Sequence, residues 1–246
     1  MINVGSTYRI TSTSEGIYAL AAMLAITMGS HVETKVLGGK NEERLYLQDD
    51  QFDCNDDIII VKKTDMPNMD HLIARHKGRY HIPAAFCRPR MRVLDFPCGS
   101  GYGAEIFERF GVTYYGMDVD PATIMYADLH YRGNFSVNDL TNPHLKERYY
   151  DLIACIEGLE HIEERFQSRL IGEFYKALTW GGILVVTTPE KWGETTNPYH
   201  KHELTKEEFR RLIGEKFKDV QILEIKDEIH NGTKANLLFG IARKED

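Results

Sequence analysis

The chain has 246 residues and a formal net charge of −7, with 42% hydrophobic and 27% charged residues; this length builds one large core or a domain with a small appendage. The composition is ordinary for a soluble globular protein, and a pI near 5.8 argues against a broad electrostatic grip on nucleic acid, leaving only a local basic patch open. Cys54, Cys87, Cys98 and Cys155 show no CxxC spacing and read as reduced thiols of a cytoplasmic protein.

Residues 15–28 read as a mostly buried helix. Its apolar part, from Ile17 to Met28, is too short to span a bilayer. It follows Glu15 rather than a basic region and lacks a small-residue cleavage site, so it does not read as a signal peptide. Extended runs follow at 32–37, 44–48 and 58–63, with Gly38, Gly39 and Asn41 turning the first into the second. Residues 1–65 therefore read as a helix-plus-hairpin appendage to which the sequence assigns no chemistry. Covering a substrate pocket, joining subunits of a homo-oligomer and simply extending the fold are its open roles.

From residue 66 to 246 strands and helices alternate. A leading helix at 69–86 precedes a strand ending at Asp95 and a helix at 104–110. A strand at 113–117, a helix at 121–130 opened by Pro121, and a short strand at 135–137 come next. A strand at 152–156 leads into a helix at 163–179, which Gly181 and Gly182 are expected to stop before a strand at 183–187. A capping box, Thr205 with Glu208, starts the helix at 205–214. Runs at 220–226 and 237–242 have no helix between them and are expected to pair antiparallel. The pattern predicts an α/β fold: a Rossmann-like, doubly wound, mostly parallel sheet with a C-terminal antiparallel hairpin.

The stretch RVLDFPCGSGYG, residues 92–103, carries the strongest local signal. A buried strand ends at Asp95; Gly99, Gly101 and Gly103 then lead into a helix whose free N–H groups face a ligand beyond the strand. Asp95 would repel a pyrophosphate and hold a ligand that carries an ammonium group. A dinucleotide dehydrogenase would want GxGxxG, whereas these glycines have GxGxG spacing. Asp118 ends the second strand, where a carboxylate suits the vicinal hydroxyls of a ribose. Asp120, just before Pro121, competes for that role and suits a helix cap equally well. Asp139 follows the third strand, either as a ligand contact or as a solvated turn residue.

The glycine loop resembles the first motif of the class I S-adenosylmethionine-dependent methyltransferases, an acid followed by GxGxG, with Pro97 at the first glycine position. Residues 149–164, YYDLIACIEGLEHIEE, together with LTWGG at 178–182 and TPE at 188–190, resemble the branch containing the ubiquinone-pathway O-methyltransferases. The similarity covers roughly residues 70–242. It implies S-adenosylmethionine as cofactor, held by Asp95, Cys98, Gly99, Gly101, Tyr102, Asp118, Val119, Asp139, Leu140 and Ile156. In that family Asp139 would accept from the adenine amino group and the Leu140 N–H would donate to the ring.

The ExxEH segment places Glu157, Glu160 and His161 just after the fourth strand, and His200 or His202 in YHKHE lies upstream of a helix that begins with threonine. In small-RNA 2′-O-methyltransferases and some ubiquinone-pathway enzymes a similar set binds a divalent ion that orients the acceptor hydroxyl. The resemblance thus implies His161, Glu160 and His200 as catalytic residues. It offers Glu157, Glu160, His161 and His200 as ligands for Mg²⁺ or another divalent metal. A metal-free role for His161, as base or structural partner, stays open beside it. The segment from 187 to 209 also resembles methyltransferases of sugar and polysaccharide biosynthesis. A polar small molecule or glycan precursor is therefore the leading acceptor. RNA is the runner-up, with Lys201, Lys206, Arg210 and Arg211 as its modest basic cluster. A non-catalytic, cofactor-binding partner subunit is the reading of another class, favoured by Pro97.

Overall fold

The computed structural model describes residues 50–54, 57–61, 76–191, 193, 197–228 and 234–245. The helix expected at 15–28 and the strands expected at 32–37 and 44–48 lie outside the described residues. The run at 58–63 appears as β2, Asp57–Val61, paired antiparallel with β1, Asp50–Cys54, in a two-stranded sheet of its own. β1 has no counterpart in the sequence reading, because DQFDC brings two acids and a glutamine into a run of only 5 residues.

Residues 76–79 are helical, and α1, His81–Ala84, follows with Tyr80 between them. The main sheet then forms from β3 (Arg92–Asp95), β4 (Thr113–Asp118), β5 (Asn134–Val137), β6 (Tyr150–Cys155), β7 (Leu178–Pro189), β8 (Val220–Glu228) and β9 (Lys234–Arg243). Its order is β5-β4-β3-β6-β7-β9-β8. β3 to β7 run parallel, while β9 pairs antiparallel with both β7 and β8. The chain winds outward from β3 through β4 to β5, then returns to place β6 on the other side of β3. That reversal lies between β3 and β6, and open α/β sheets bind ligands beyond the carboxyl ends of the strands at such a point.

The helices α2 (Gly103–Glu108), α3 (Pro121–His130), α4 (Glu164–Ala177) and α5 (Lys206–Gly214) complete the fold. Successive strand residues point to opposite faces. Leu94, Ile153 and Leu184 pack with Leu170, Phe174, Phe209 and Ile213 of α4 and α5. Val93, Leu152 and Val185 pack with Tyr80, Ala104 and Phe107. The central strands are covered on both sides, which is why they read as apolar runs rather than alternating ones.

One boundary differs from expectation. α4 ends at Ala177, and Leu178 is already extended at φ −69, ψ 142. Gly181 and Gly182 therefore do not stop the helix; they lie inside β7, with Gly181 at φ +74. Leu178, fully buried, is drawn into the sheet opposite Tyr150, and a register shift follows between Tyr150 and Leu152. Gly181 donates its N–H to Lys244 and Gly182 accepts from Lys244, so this stretch is held by the far end of the chain. Tertiary pairing overrides the local stop signal here.

Candidate active site

Asp95 closes β3 and is fully buried. Its carboxyl accepts hydrogen bonds from the Tyr114 hydroxyl at 2.7 Å and the Tyr80 hydroxyl at 3.4 Å. A Cβ on Gly103 would come within 2.6 Å of Asp95 Oδ2 and 2.5 Å of the Tyr80 ring, so only glycine lets α2 start against this group. Burial pushes the Asp95 carboxyl up to about 8, against the pull of the two phenols. The expected direct grip of Asp95 on a ligand's ammonium group is thus corrected. The carboxyl lies beneath the glycine helix, sealed from solvent, and joins the segment before β3 to β4.

Asp118 is also fully buried at the end of β4. Its Oδ2 accepts from the Gly99 N–H at 3.0 Å and its Oδ1 from the Asp120 N–H at 3.1 Å. It therefore ties the glycine loop to the end of β4. Asp120 is the helix cap, accepting from the N–H groups of Ala122 and Thr123. Val119 between them is 44% exposed. Gly99 and Gly101 adopt φ of +53 and +86, and a Cβ on Gly101 would come within 2.7 Å of Ala127.

Cys98, Tyr102, Leu140 and Ile156 are all buried around these strand ends. Asp139 is exposed and accepts from the N–H and hydroxyl of Thr141 through Oδ1, which makes it a turn residue. Pro97 follows a cis peptide bond and faces Gly158, where a Cβ would come within 2.3 Å of its Cδ. The loops after β3 and β6 therefore interlock at Pro97 and Gly158.

Beyond β6, Glu157 sits at φ +50. Its N–H donates to the Thr187 hydroxyl, which donates in turn to Glu157 Oε1, both at 2.9 Å. Glu157 Oε2 lies 3.4 Å from the guanidinium of Arg79, a residue only 7% exposed. Glu157 is thus committed to Arg79 and Thr187, and the structure does not bring it into the proposed ligand set.

Glu160, His161 and His200 do come together. One ligand atom from each lies within 4.8 Å of the others, and the two imidazoles meet edge to face at 5.2 Å. Glu160 and His161 stand on a short 3₁₀ turn, Leu159–His161. The loop carrying His200 is stitched to that turn: Lys201 and His202 donate their N–H groups to the Glu160 carbonyl at 2.7 and 3.2 Å. Glu160 is 1% exposed, and among the described residues its Oε2 has no hydrogen-bond partner. Burial, reinforced by the negative Glu157, raises its carboxyl well above the usual range, with the Thr188 hydroxyl pulling the other way. His161 Nδ1 lies 3.3 Å from the Tyr199 carbonyl, which can only accept, so the lone pair is on Nε2. His202 faces away, with its Nδ1 3.1 Å from Gln167 Oε1.

Residues 69–227 match the family described as the methyltransferase domain. With the seven-stranded sheet and its switch point, this decides the family. The chain belongs to the class I S-adenosylmethionine-dependent methyltransferases. A probable S-adenosylmethionine-dependent methyltransferase of Mycolicibacterium smegmatis is 30% identical over 146 residues, 56% of either chain. The ubiquinone biosynthesis O-methyltransferase of Xanthomonas campestris pv. campestris is 30% identical over 117 residues, 44% of this chain and 47% of that one. The chain spans 56% to 60% of the length of the first curated relatives. Among solved structures, phosphoethanolamine N-methyltransferase 2 of Haemonchus contortus, in complex with S-adenosylmethionine, aligns at TM-score 0.58 and 16% identity over 69% of this chain and 52% of that one. A methyltransferase of Archaeoglobus fulgidus aligns at TM-score 0.57 and 19% identity over 71% and 94%. At such identities the structures establish the fold. Among the described residues, no helix of this methyltransferase is long and apolar enough to cross a membrane.

Sequence reasoning missed Arg79, Tyr80 and Tyr114 as partners of Glu157 and Asp95. Arg79 and Tyr80 lay inside a run read only as a leading helix, and Tyr114 inside a strand read only as core. The usable signal was chemical: an arginine and a tyrosine beside it are costly to bury without partners, and the half-buried Glu157 and the buried Asp95 supply them.

Proposed function

We propose that this methyltransferase transfers the methyl group of S-adenosylmethionine to a hydroxyl of a polar small molecule or glycan precursor. Transfer takes place in the crevice between the glycine loop and the Glu160–His161–His200 cluster. The observation that carries this reading is the cluster itself, three convergent ligands around a buried carboxylate oxygen without a partner among the described residues. Native proteins rarely leave such an oxygen unpaired. An acid and two imidazoles suit Mg²⁺, Mn²⁺ or Zn²⁺, so Glu160, His161 and His200 would hold a divalent ion. That ion would supply Lewis-acid polarisation of the acceptor hydroxyl.

The residues of the chain define the remaining steps. The amino-acid end of the cofactor carries one ammonium and one carboxylate, and the Arg79–Glu157 pair offers the complementary charges at the carboxyl end of β6. Gly99, whose Cβ position is open, leaves room for the nucleoside, with the exposed Val119 beside it, near Asp118 and Asp139. The acceptor oxygen attacks the methyl carbon in line, the carbon–sulfur bond breaks, and S-adenosylhomocysteine leaves. In the cation reading the Nε2 lone pair of His161, oriented by the Tyr199 carbonyl, would be a ligand, and the acceptor proton leaves to water. That hydrogen bond also supports the metal-free reading, in which His161 alone takes the proton.

A glycan-type acceptor is favoured over RNA by the acidic net charge of −7 and by the basic cluster, in which Lys206 is already paired with Glu224. An RNA acceptor would require turnover that collapses as salt rises. Residues 1–65 are assigned to substrate covering or subunit contact, and light scattering of the full chain tests the latter.

The deciding experiment screens polar hydroxyl acceptors for S-adenosylhomocysteine release, with EDTA and with each divalent ion restored. Turnover lost to EDTA and regained with one ion supports the cation reading, whereas EDTA-resistant turnover leaves His161 as a metal-free base. If neither S-adenosylmethionine nor S-adenosylhomocysteine raises the melting temperature, the enzyme reading itself falls to the non-catalytic alternative.

A further inference from the structure

His200 has both ring nitrogens engaged. Nδ1 lies 2.5 Å from Glu203 Oε1, and Nε2 lies 3.0 Å from the Asn197 amide nitrogen. The orientation of that amide has an independent anchor. Asn197 Oδ1 takes the Tyr199 N–H at 3.0 Å, and a backbone N–H can only donate. The other end of the amide is therefore the NH₂ group, which donates to His200. A ring that receives a hydrogen at Nε2 and gives one to a carboxylate from Nδ1 is a single tautomer. The side chains of His200 and Glu203 are each only 12% exposed, so this pair is largely withdrawn from water. Gln167, 1% exposed, steadies the same loop by donating to the Leu159 carbonyl at 2.9 Å and the His202 carbonyl at 3.1 Å.

We propose that Asn197 and Glu203 are positioning residues of the acceptor site: they set His200 as the Nδ1–H tautomer, so that the Nε2 lone pair is what it offers a divalent cation. This inference rests on the cation reading above. Asn197 holds the lone pair in the ligand-free protein and gives it up when a cation arrives; Glu203 stays on Nδ1 throughout, orienting the ring and making it a better donor. Outer partners of ligating histidines typically matter by about 10- to 100-fold in metal affinity. A purely structural hydrogen bond would change stability and leave that affinity alone.

The test measures Mn²⁺ affinity and S-adenosylhomocysteine affinity on the full chain, for wild type, Glu203→Ala, Glu203→Gln and His161→Ala. Glu203→Ala is expected to weaken Mn²⁺ by about 10- to 100-fold, with S-adenosylhomocysteine affinity unchanged. Glu203→Gln, whose carbonyl still accepts from Nδ1, is expected to lose less, and it decides the matter if the alanine variant does not fold. Wild-type Mn²⁺ affinity in both Glu203 variants, with loss in His161→Ala, overturns the positioning role and leaves the cation reading standing. No saturable Mn²⁺ binding by the wild type overturns both. Long-range ¹H–¹⁵N spectra of the His200 ring give a readout that needs no metal: Nδ1–H is expected, and Nε2–H overturns the tautomer assignment.

Discussion

The two sides of the proposed transfer site are built in opposite ways. On the donor side, Asp95 and Asp118 are fully buried acids whose oxygens are taken by tyrosine hydroxyls and backbone N–H groups. On the acceptor side, Glu160 is just as deeply buried, yet one of its oxygens has no partner among the described residues and two imidazoles face each other beside it. A satisfied polar network rigidifies what it joins, while an unsatisfied buried group is costly until a ligand completes it. On the proposed mechanism, the first set is scaffolding that shapes backbone, and the second is where chemistry would be done.

The sharpest way to break this comparison is His161→Ala. Loss of a proton acceptor or cation ligand there should cut turnover by about 10²- to 10⁴-fold while S-adenosylhomocysteine affinity, read by calorimetry, holds. Near-normal turnover would remove the acceptor side from the mechanism. Asp118→Ala should act on the other side. It strands the Gly99 and Asp120 N–H groups, at about 1–3 kcal/mol for a buried donor left unpaired, and weakens cofactor binding with them. Unchanged cofactor affinity would count against Asp118 as a shaper of the loop.

Gly158→Ala probes the joint between the two sides, since its Cβ would meet the Pro97 ring at 2.3 Å. The expected cost is about 1–3 kcal/mol of stability, measured by urea denaturation, and an unperturbed midpoint would show that the loops are not interlocked. Asp95→Asn tests scaffolding through pH. Burial raises the folded carboxyl to about 8, whereas an unfolded aspartate titrates near 4. Between those values the folded protein holds a proton that the unfolded chain has released. Stability should therefore fall as pH rises through this window, by at most about 1.4 kcal/mol per pH unit. The variant should lose that slope, and a slope identical to wild type would contradict a protonated Asp95. Asp139→Ala should do least, staying within about 0.5 kcal/mol of wild type because the residue is an exposed turn acid. A large loss of cofactor affinity in this variant would promote Asp139 from turn residue to ligand contact.

Signals that act over one turn of chain were legible in advance. The capping box at Thr205 and Glu208 is present with both of its bonds. Asp120 caps α3 as its place before Pro121 suggested. The antiparallel pairing of β8 with β9 followed from the short connection between them. The grouping of Glu160 with His161 and His200 was legible through the resemblance, but Glu157 was wrongly joined to them. Its φ of +50 turns it toward Thr187 and Arg79, and no residue pattern in EGLEH signals that turn.

The sequence alone determined the alternation of strands and helices from Arg92 onward, the terminal hairpin and the acids that end the strands, because periodicity, caps and turn glycines act between near neighbours. Only the tertiary structure decided which partners those acids take. Tyr80 and Tyr114 reach Asp95, Pro97 locks against Gly158, and Leu178 enters the sheet past the glycines that should have followed a helix end. Each of these depends on packing between segments far apart in the chain, where the cost of burying a polar group or leaving a gap outweighs local preference.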